Sequence, residues 1–172
     1  LKQQVERVLQ VAQLDQGEID LKAEPIGLHE LAAEAVQIRR LGLEGEIHTD
    51  FQAANDRISG DRLHLSNVLY NLLDNAVKYC TTRPQVSIRT TNPDSRHVVI
   101  EVADNGIGIA ASELNRIFDK FYRVPTGNVH NVRGFGLGLS YVKEIVTRHK
   151  GRITVTSEPG VGSTFHIILP LA

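Results

Sequence analysis

The chain has 172 residues, enough to bury one sizeable core and too few for two ordinary domains. Its 41% hydrophobic and 23% charged residues fit a globular protein, and 19 basic against 20 acidic residues leave a net charge of −1. That balance carries no electrostatic footprint for nucleic acid or an anionic membrane, no apolar run approaches a membrane span, and no signal-peptide pattern opens the chain.

Residues 1–16, "LKQQVERVLQVAQLDQ", place Val5, Val8, Leu9 and Ala12 at helical spacing, with Gly17 as a stop. The chain starts at Leu1 inside this pattern, so the expectation is a piece of a longer protein, beginning with the end of an amphipathic helix. "EIDLKAEPI" (18–26) alternates and predicts a strand; "LHELAAEAVQIRRL" (28–41) predicts a helix closed by Gly42. Short strands are expected at 46–52 and 57–60. From Asp61 to Tyr79, Leu65, Val68, Leu69, Leu72, Leu73 and Ala76 form one broad apolar stripe of a helix.

Two alternating strands follow, at 85–91 and 97–104, joined through the turn sequence "NPDSR". "SELNRIFDKFY" (112–122) reads as a short helix, and 124–134 as an aperiodic, glycine-containing loop. Helix returns at 136–149, then "RITVTSE" (152–158), a "PGVG" turn and "STFHIILP" (163–170). This order predicts an α+β fold in two layers, one mixed and mostly antiparallel sheet with helices on one face. The one cysteine, Cys80, excludes an internal disulfide, fits a reducing compartment and reads as a small packed residue at a helix end.

Three stretches carry chemistry. On the 61–79 helix, Asn71, Asn75 and Lys78 are spaced by four and three, which gathers two carboxamides and an ammonium on one face beside the apolar stripe. Tyr79 lies at its edge. Such a face can hold a cation, phosphates and a planar ring, or be a solvated helix edge. "DNGIGI" (104–109) lets Asp104 leave a strand with Gly106 and Gly108 following; a carboxylate there can accept from an exocyclic amine, and the same residues can form a plain turn. In "GFGLGLS", Gly134, Gly136 and Gly138 sit where a loop becomes a helix, the place where backbone N–H groups and the helix dipole attract phosphate. Neither the Rossmann nor the Walker spacing fits this loop.

Together, and in this order, "NLLDNAVKY", "DNGIGI", "IFDKFYR" and "GFGLGLS" resemble the asparagine box, first glycine box, phenylalanine box and second glycine box of bacterial sensor histidine kinases. "GVGSTFHIILP" is similar to their closing glycine turn and strand. The resemblance covers about residues 20–170 and implies the α/β sandwich of the GHKL ATPases. Residues 1–16 would then end a dimerisation and histidine-phosphotransfer helix, and 17–172 would form the catalytic ATP-binding domain. By the same resemblance, Asn75 binds Mg²⁺, Asn71 and Lys78 lie by metal and phosphates, and Tyr79 lies against adenine. Asp104 receives the adenine amine, Gly106 and Gly108 allow close approach, and Thr164 supports Asp104 through water. Gly134, Gly136, Leu137, Gly138 and Leu139 wrap the phosphates of ATP. Arg123 stabilises the transferring phosphoryl group, while Phe118 and Phe121 pack beneath a lid.

The acceptor histidine of such kinases sits in a His-Glu-basic-x-x-Pro setting, and none of the seven histidines here matches. His29, in "HELAAEA", is expected to be a surface residue. The implied partners are therefore a dimerisation domain of the same protein and a response-regulator receiver domain, without nucleic acid. The chain is expected to be monomeric and its parent a homodimer in the bacterial inner membrane, with this domain in the cytoplasm. Asn71 stands where hydrolytic GHKL members carry a glutamate that activates water, which favours transfer over hydrolysis. A nucleotide-driven clamp and a non-catalytic binding module are the competing readings.

Overall fold

The computed structural model describes residues 20–125 and 135–172. Expectations for residues 1–19 and for 126–134, Gly134 included, lie outside the described residues. In chain order the elements are β1 (Glu24–Gly27), α1 (Leu28–Arg40), β2 (Glu46–Phe51), β3 (Arg57–Gly60), α2 (Arg62–Lys78), β4 (Gln85–Thr91), β5 (His97–Asp104), α3 (Gly138–Arg148), β6 (Arg152–Glu158) and β7 (Gly162–Pro170).

The strict alternation along β4, β5 and β7 arises because one face of their sheet is covered and the other open. Val86, Ile88, Val98, Ile100, Val102, Phe165, Ile167 and Leu169 turn inward and are buried. Ser87, Arg89, Glu101 and His166 occupy the intervening positions on the opposite face. The sheet has five strands in the order β2-β4-β5-β7-β6. Only β2 and β4 run parallel, which requires the crossover through α2; the other pairs are antiparallel.

Against the covered face lie the helices. All six residues of the α2 stripe are buried, and Val142, Ile145 and Val146 of α3 join them in the same core. Each fully buried Leu, Ile or Val side chain contributes about 2 kcal/mol, and Ala76 less. α2 begins where Asp61 accepts the His64 N–H at 3.0 Å, an N-cap that explains the abrupt start. α1 has no capping side chain at Gly27. Asp56 caps it from outside, taking the Leu28 N–H on its carbonyl at 3.0 Å and the His29 N–H on its carboxylate at 2.9 Å.

Four expectations change. β1 is shorter than 18–26, and it pairs with β3 in a separate two-stranded sheet, Ile26 opposite Ile58, so there is not one sheet but two. Both strands are four residues long and run straight into helix starts, which leaves them no length to join the larger sheet. Residues 112–122 are a run of turns instead of a helix: Arg116 bonds back to Glu113, Asp119 to Arg116 and Tyr122 to Asp119. A segment this short cannot repay helix nucleation with one buried anchor, Ile117, and the left-handed Phe121 (φ 63°) ends it. His29 is not a bare surface residue, since its ring stacks on Phe51 and its Nε2 meets the buried Thr90 hydroxyl at 2.8 Å. Finally, Phe118 does pack against the core, but Phe121 is exposed.

Candidate functional site

The polar face of α2 forms one wall of a cavity of about 250 Å³. The end of β5, residues 107–109, the turns through Arg123 and the start of α3 form the rest. Asn71, Asn75, Lys78, Tyr79, Asp104, Gly108, Arg123, Gly136, Leu137, Gly138 and Leu139 all line it, so the three sequence stretches converge on one space. Gly106 and Thr164 do not line it.

Asp104 ends β5 where the chain leaves the sheet, opposite Ser163 at the start of β7. Its Oδ1 accepts the Gly106 N–H at 2.8 Å and the Ser163 N–H at 3.2 Å. Burial pushes the Asp104 carboxyl above the ordinary aspartate range, against the opposing effect of these two donors. Both donors use Oδ1. Thr164 falls on the other face of β7, registered with Ala103 and Thr156, because side chains alternate along the strand. The β7 residue beside Asp104 is thus Ser163, one position earlier than expected.

Tyr79 closes α2, its N–H donating to the Asn75 carbonyl, and its own carbonyl receives the Ile107 N–H at 3.0 Å. That bond docks the 105–109 segment on the helix end. Burial raises the Tyr79 phenol, and the nearby Arg123 charge works in the opposite direction. Asn71 donates from Nδ2 to the Asn67 carbonyl at 2.8 Å, which fixes its amide and turns Oδ1 toward Gly138. α3 starts at Gly138 with Leu137 as its N-cap residue and no capping side-chain bond, so its first turn faces the cavity with backbone donors.

The glycines do more than admit a ligand. A Cβ on Gly108 (φ 69°) would lie 2.0 Å from the Glu158 carbonyl oxygen, and one on Gly136 (φ 71°) 2.6 Å from the Tyr122 carbonyl oxygen. Each therefore lets two stretches of this chain meet at the cavity rim in a left-handed conformation. Gly106 has no left-handed backbone, but a Cβ there would press on Asp104 Oδ1 and the Tyr79 carbonyl.

Sequence reasoning missed Asn67, Asp74, Tyr122, Tyr141 and Ser163, which also line the cavity. Asn67 lies four residues before Asn71 and was within reach of the helical spacing argument. Tyr122, whose hydroxyl donates to Glu113, gave no periodic signal. Cys80 is half-buried, its Sγ donating to the Ala76 carbonyl at 3.0 Å, and burial followed by the Asp104 charge raises its thiol.

An α/β sandwich with this cavity between helix face, strand end and glycine-bounded turns defines a known class of domain. The chain belongs to the family described as histidine kinase-, DNA gyrase B-, and HSP90-like ATPase, whose model matches residues 60–172. Among curated relatives it is similar to the sensor protein RprX of Bacteroides fragilis (strain YCH46), 44% identical over 99% of this chain and 34% of that protein. It also resembles the adaptive-response sensory kinase SasA of Prochlorococcus marinus (strain MIT 9303), 38% identical over 85% of this chain and 40% of that one. The chain thus spans about a third of the length of these relatives. Among solved structures, full-length ShkA in complex with AMPPNP superposes with a TM-score of 0.83 at 28% identity, over 99% of this chain and 35% of ShkA. The mycobacterial sensor histidine kinase MprB gives 0.75 at 28% identity, over 86% and 97%.

Proposed function

We propose that this chain is the catalytic ATP-binding domain of a two-component sensor histidine kinase. It binds MgATP and passes the γ-phosphoryl group to a histidine on a dimerisation domain, for relay to a response-regulator aspartate. The observation that carries this reading is the convergence of Asn71, Asn75, Asp104 and the Gly136–Leu139 turn on one cavity. The ShkA structure holds AMPPNP in a protein that superposes on the whole of this chain, which supports the same assignment.

Asp104, through the oxygen not engaged by Gly106 and Ser163, receives the adenine amine. Tyr79 flanks the base. Lys78 and the backbone N–H groups of Leu137, Gly138 and Leu139 receive the phosphates at the positive end of α3. No cluster of three His, Cys, Asp or Glu side chains among the described residues could hold a metal unaided. Mg²⁺ takes hard oxygen donors and favours phosphate and water as further ligands, so the Asn75 carboxamide oxygen, which lines the cavity, would hold it with Asn71 alongside. When bound, the ion draws charge from the phosphate oxygens.

In the transfer, an imidazole nitrogen forms a bond to γ-phosphorus as the bond to the bridging oxygen breaks, and ADP leaves with that electron pair. The nucleophile brings its own lone pair, and the proton on its other nitrogen passes to solvent once the N–P bond has formed. No general base is needed at position 71, and an amide suffices where water activation would need a carboxylate. Arg123 neutralises charge on the transferring group. The parent protein is a homodimer in the bacterial inner membrane, with this domain on the cytoplasmic side.

The test uses γ-labelled ATP with this chain and a separate dimerisation domain bearing the acceptor. Acid-labile, base-stable phosphate on the partner alone is the expected product. Release of inorganic phosphate without transfer, or phosphohistidine on this chain, contradicts the proposal.

A further inference from the structure

α2 and α3 pack antiparallel, so that Asp61 meets His149, His64 meets Tyr141 and Asn71 meets Gly138. Two of these meetings are polar and sit among apolar neighbours. The Asp61 N–H donates to His149 Nε2 at 2.9 Å, so His149 carries its proton on Nδ1, which donates to the Ile145 carbonyl at 2.7 Å. The other meeting, 2.8 Å between His64 Nδ1 and the Tyr141 hydroxyl, lies nearer the cavity.

Tyr141 joins three things that the nucleotide site needs in register. Its N–H closes the first turn of α3 by donating to the Leu137 carbonyl at 3.0 Å. Its ring is only 4% exposed and lines the cavity. Its hydroxyl is tied to His64, and His64, Asn67 and Asn71 follow at spacings of three and four, so the bond reaches the same face of α2 that carries the asparagines. We propose that Tyr141 is a positioning residue, holding the phosphate-binding first turn of α3 against the asparagine face of α2. The inference rests on the nucleotide-binding reading of the cavity.

The proton assignments follow from surroundings. Burial pushes the Tyr141 phenol up to about 12, so the hydroxyl keeps its proton and serves as the donor. Burial lowers the His64 imidazole below its ordinary value. The groups facing His64 are Asp61 at the α2 cap, which favours its cation, and His149 and Arg148 of α3, which disfavour it. Near neutral pH His64 therefore presents a lone pair on Nδ1 to the Tyr141 O–H. Below its lowered pKa it gains a proton there and becomes the donor, while the Tyr141 oxygen keeps lone pairs to accept, so the bond reverses and the hold persists.

The experiment titrates wild type, Tyr141→Phe and His64→Gln with MgATP and with adenosine at about pH 7.5. Tyr141→Phe should bind ATP about three- to tenfold more weakly, the loss of one hydrogen bond, with adenosine affinity unchanged. His64→Gln keeps an acceptor for the Tyr141 hydroxyl and should bind ATP close to wild type, a rescue that separates loss of the bond from general damage to the packing. Equal ATP affinity of Tyr141→Phe and wild type, or equal losses for ATP and adenosine, overturns the inference. Absence of ATP binding by wild type defeats the nucleotide reading instead, and the two failures are thereby told apart.

Discussion

The two walls of the cavity are built by different means. The α2 wall is a 17-residue helix with a capped start, six buried stripe residues and a polar face set by helical spacing. The facing wall, from Asn105 to Arg123 and from Phe135 to Leu137, consists of turns and irregular stretches held by single backbone bonds such as Phe121 N–H to the Gly136 carbonyl at 3.0 Å. Geometry in the first wall is distributed over many weak contacts; in the second it depends on a few residues without side chains. Substitutions should therefore act gradually on the helix and abruptly on the turns.

The sharpest way to break that contrast is Gly108→Ala. Its Cβ would strike the Glu158 carbonyl in a left-handed conformation, and the fold should lose about 3 kcal/mol or more, read from chemical denaturation. A loss under half of that would mean the turn wall yields. Next is Asp104→Asn, which replaces the acceptor proposed for the base amine and should weaken adenosine binding by about ten- to a hundredfold in calorimetry. The fold should not suffer, since the amide oxygen still accepts from Gly106 and Ser163 and the cost of burying a charge disappears. Because the carboxyl titrates above the ordinary range, wild-type adenosine affinity should decline on acidification before an ordinary aspartate would protonate.

On the helix wall, Asp61→Ala should cost about 1 kcal/mol at neutral pH, a typical N-cap loss. Burial raises the Asp61 pKa, but the His64 and Lys22 N–H groups and the His64 charge outweigh it, and the net shift is downward. A lowered folded pKa gives stability that is present above the unfolded value and fades as pH falls through the folded one. The difference between Asp61→Ala and wild type should therefore shrink below about pH 4, as urea titrations across pH would show. The smallest effect belongs to Thr164→Ala. Its side chain lies on the open face of the sheet, so ATP affinity should stay within about twofold, and a larger loss would restore the water-mediated role.

The same contrast governs how much the sequence reveals. α2 is legible because a broad buried stripe imposes a 3.6-residue period, and β4 and β5 because one covered face imposes a period of two. The stretch 112–122 mimics a helix since Ile117 and Phe118 satisfy a short apolar pattern, yet nothing local states that it must bend around a cavity. Thr164 was misplaced by one residue for a related reason: motif position does not say which face of β7 lies beside Asp104. Tyr141 falls inside the helix expected at 136–149 with no motif to mark it, and only packing against His64 gives it a distinct part. The separate β1–β3 pair depends on where two helices begin, which is a tertiary matter.

The division of the cavity into a base end at Asp104 and a metal-phosphate end at Asn75 is the central claim. Parallel calorimetric titration of wild type and Asn75→Ala, with MgATP and with adenosine, tests it directly. Wild type should bind both ligands, and Asn75→Ala should lose the Mg²⁺-dependent part of its ATP affinity while keeping its affinity for adenosine. No binding by wild type, or equal losses for both ligands in the variant, would contradict the account.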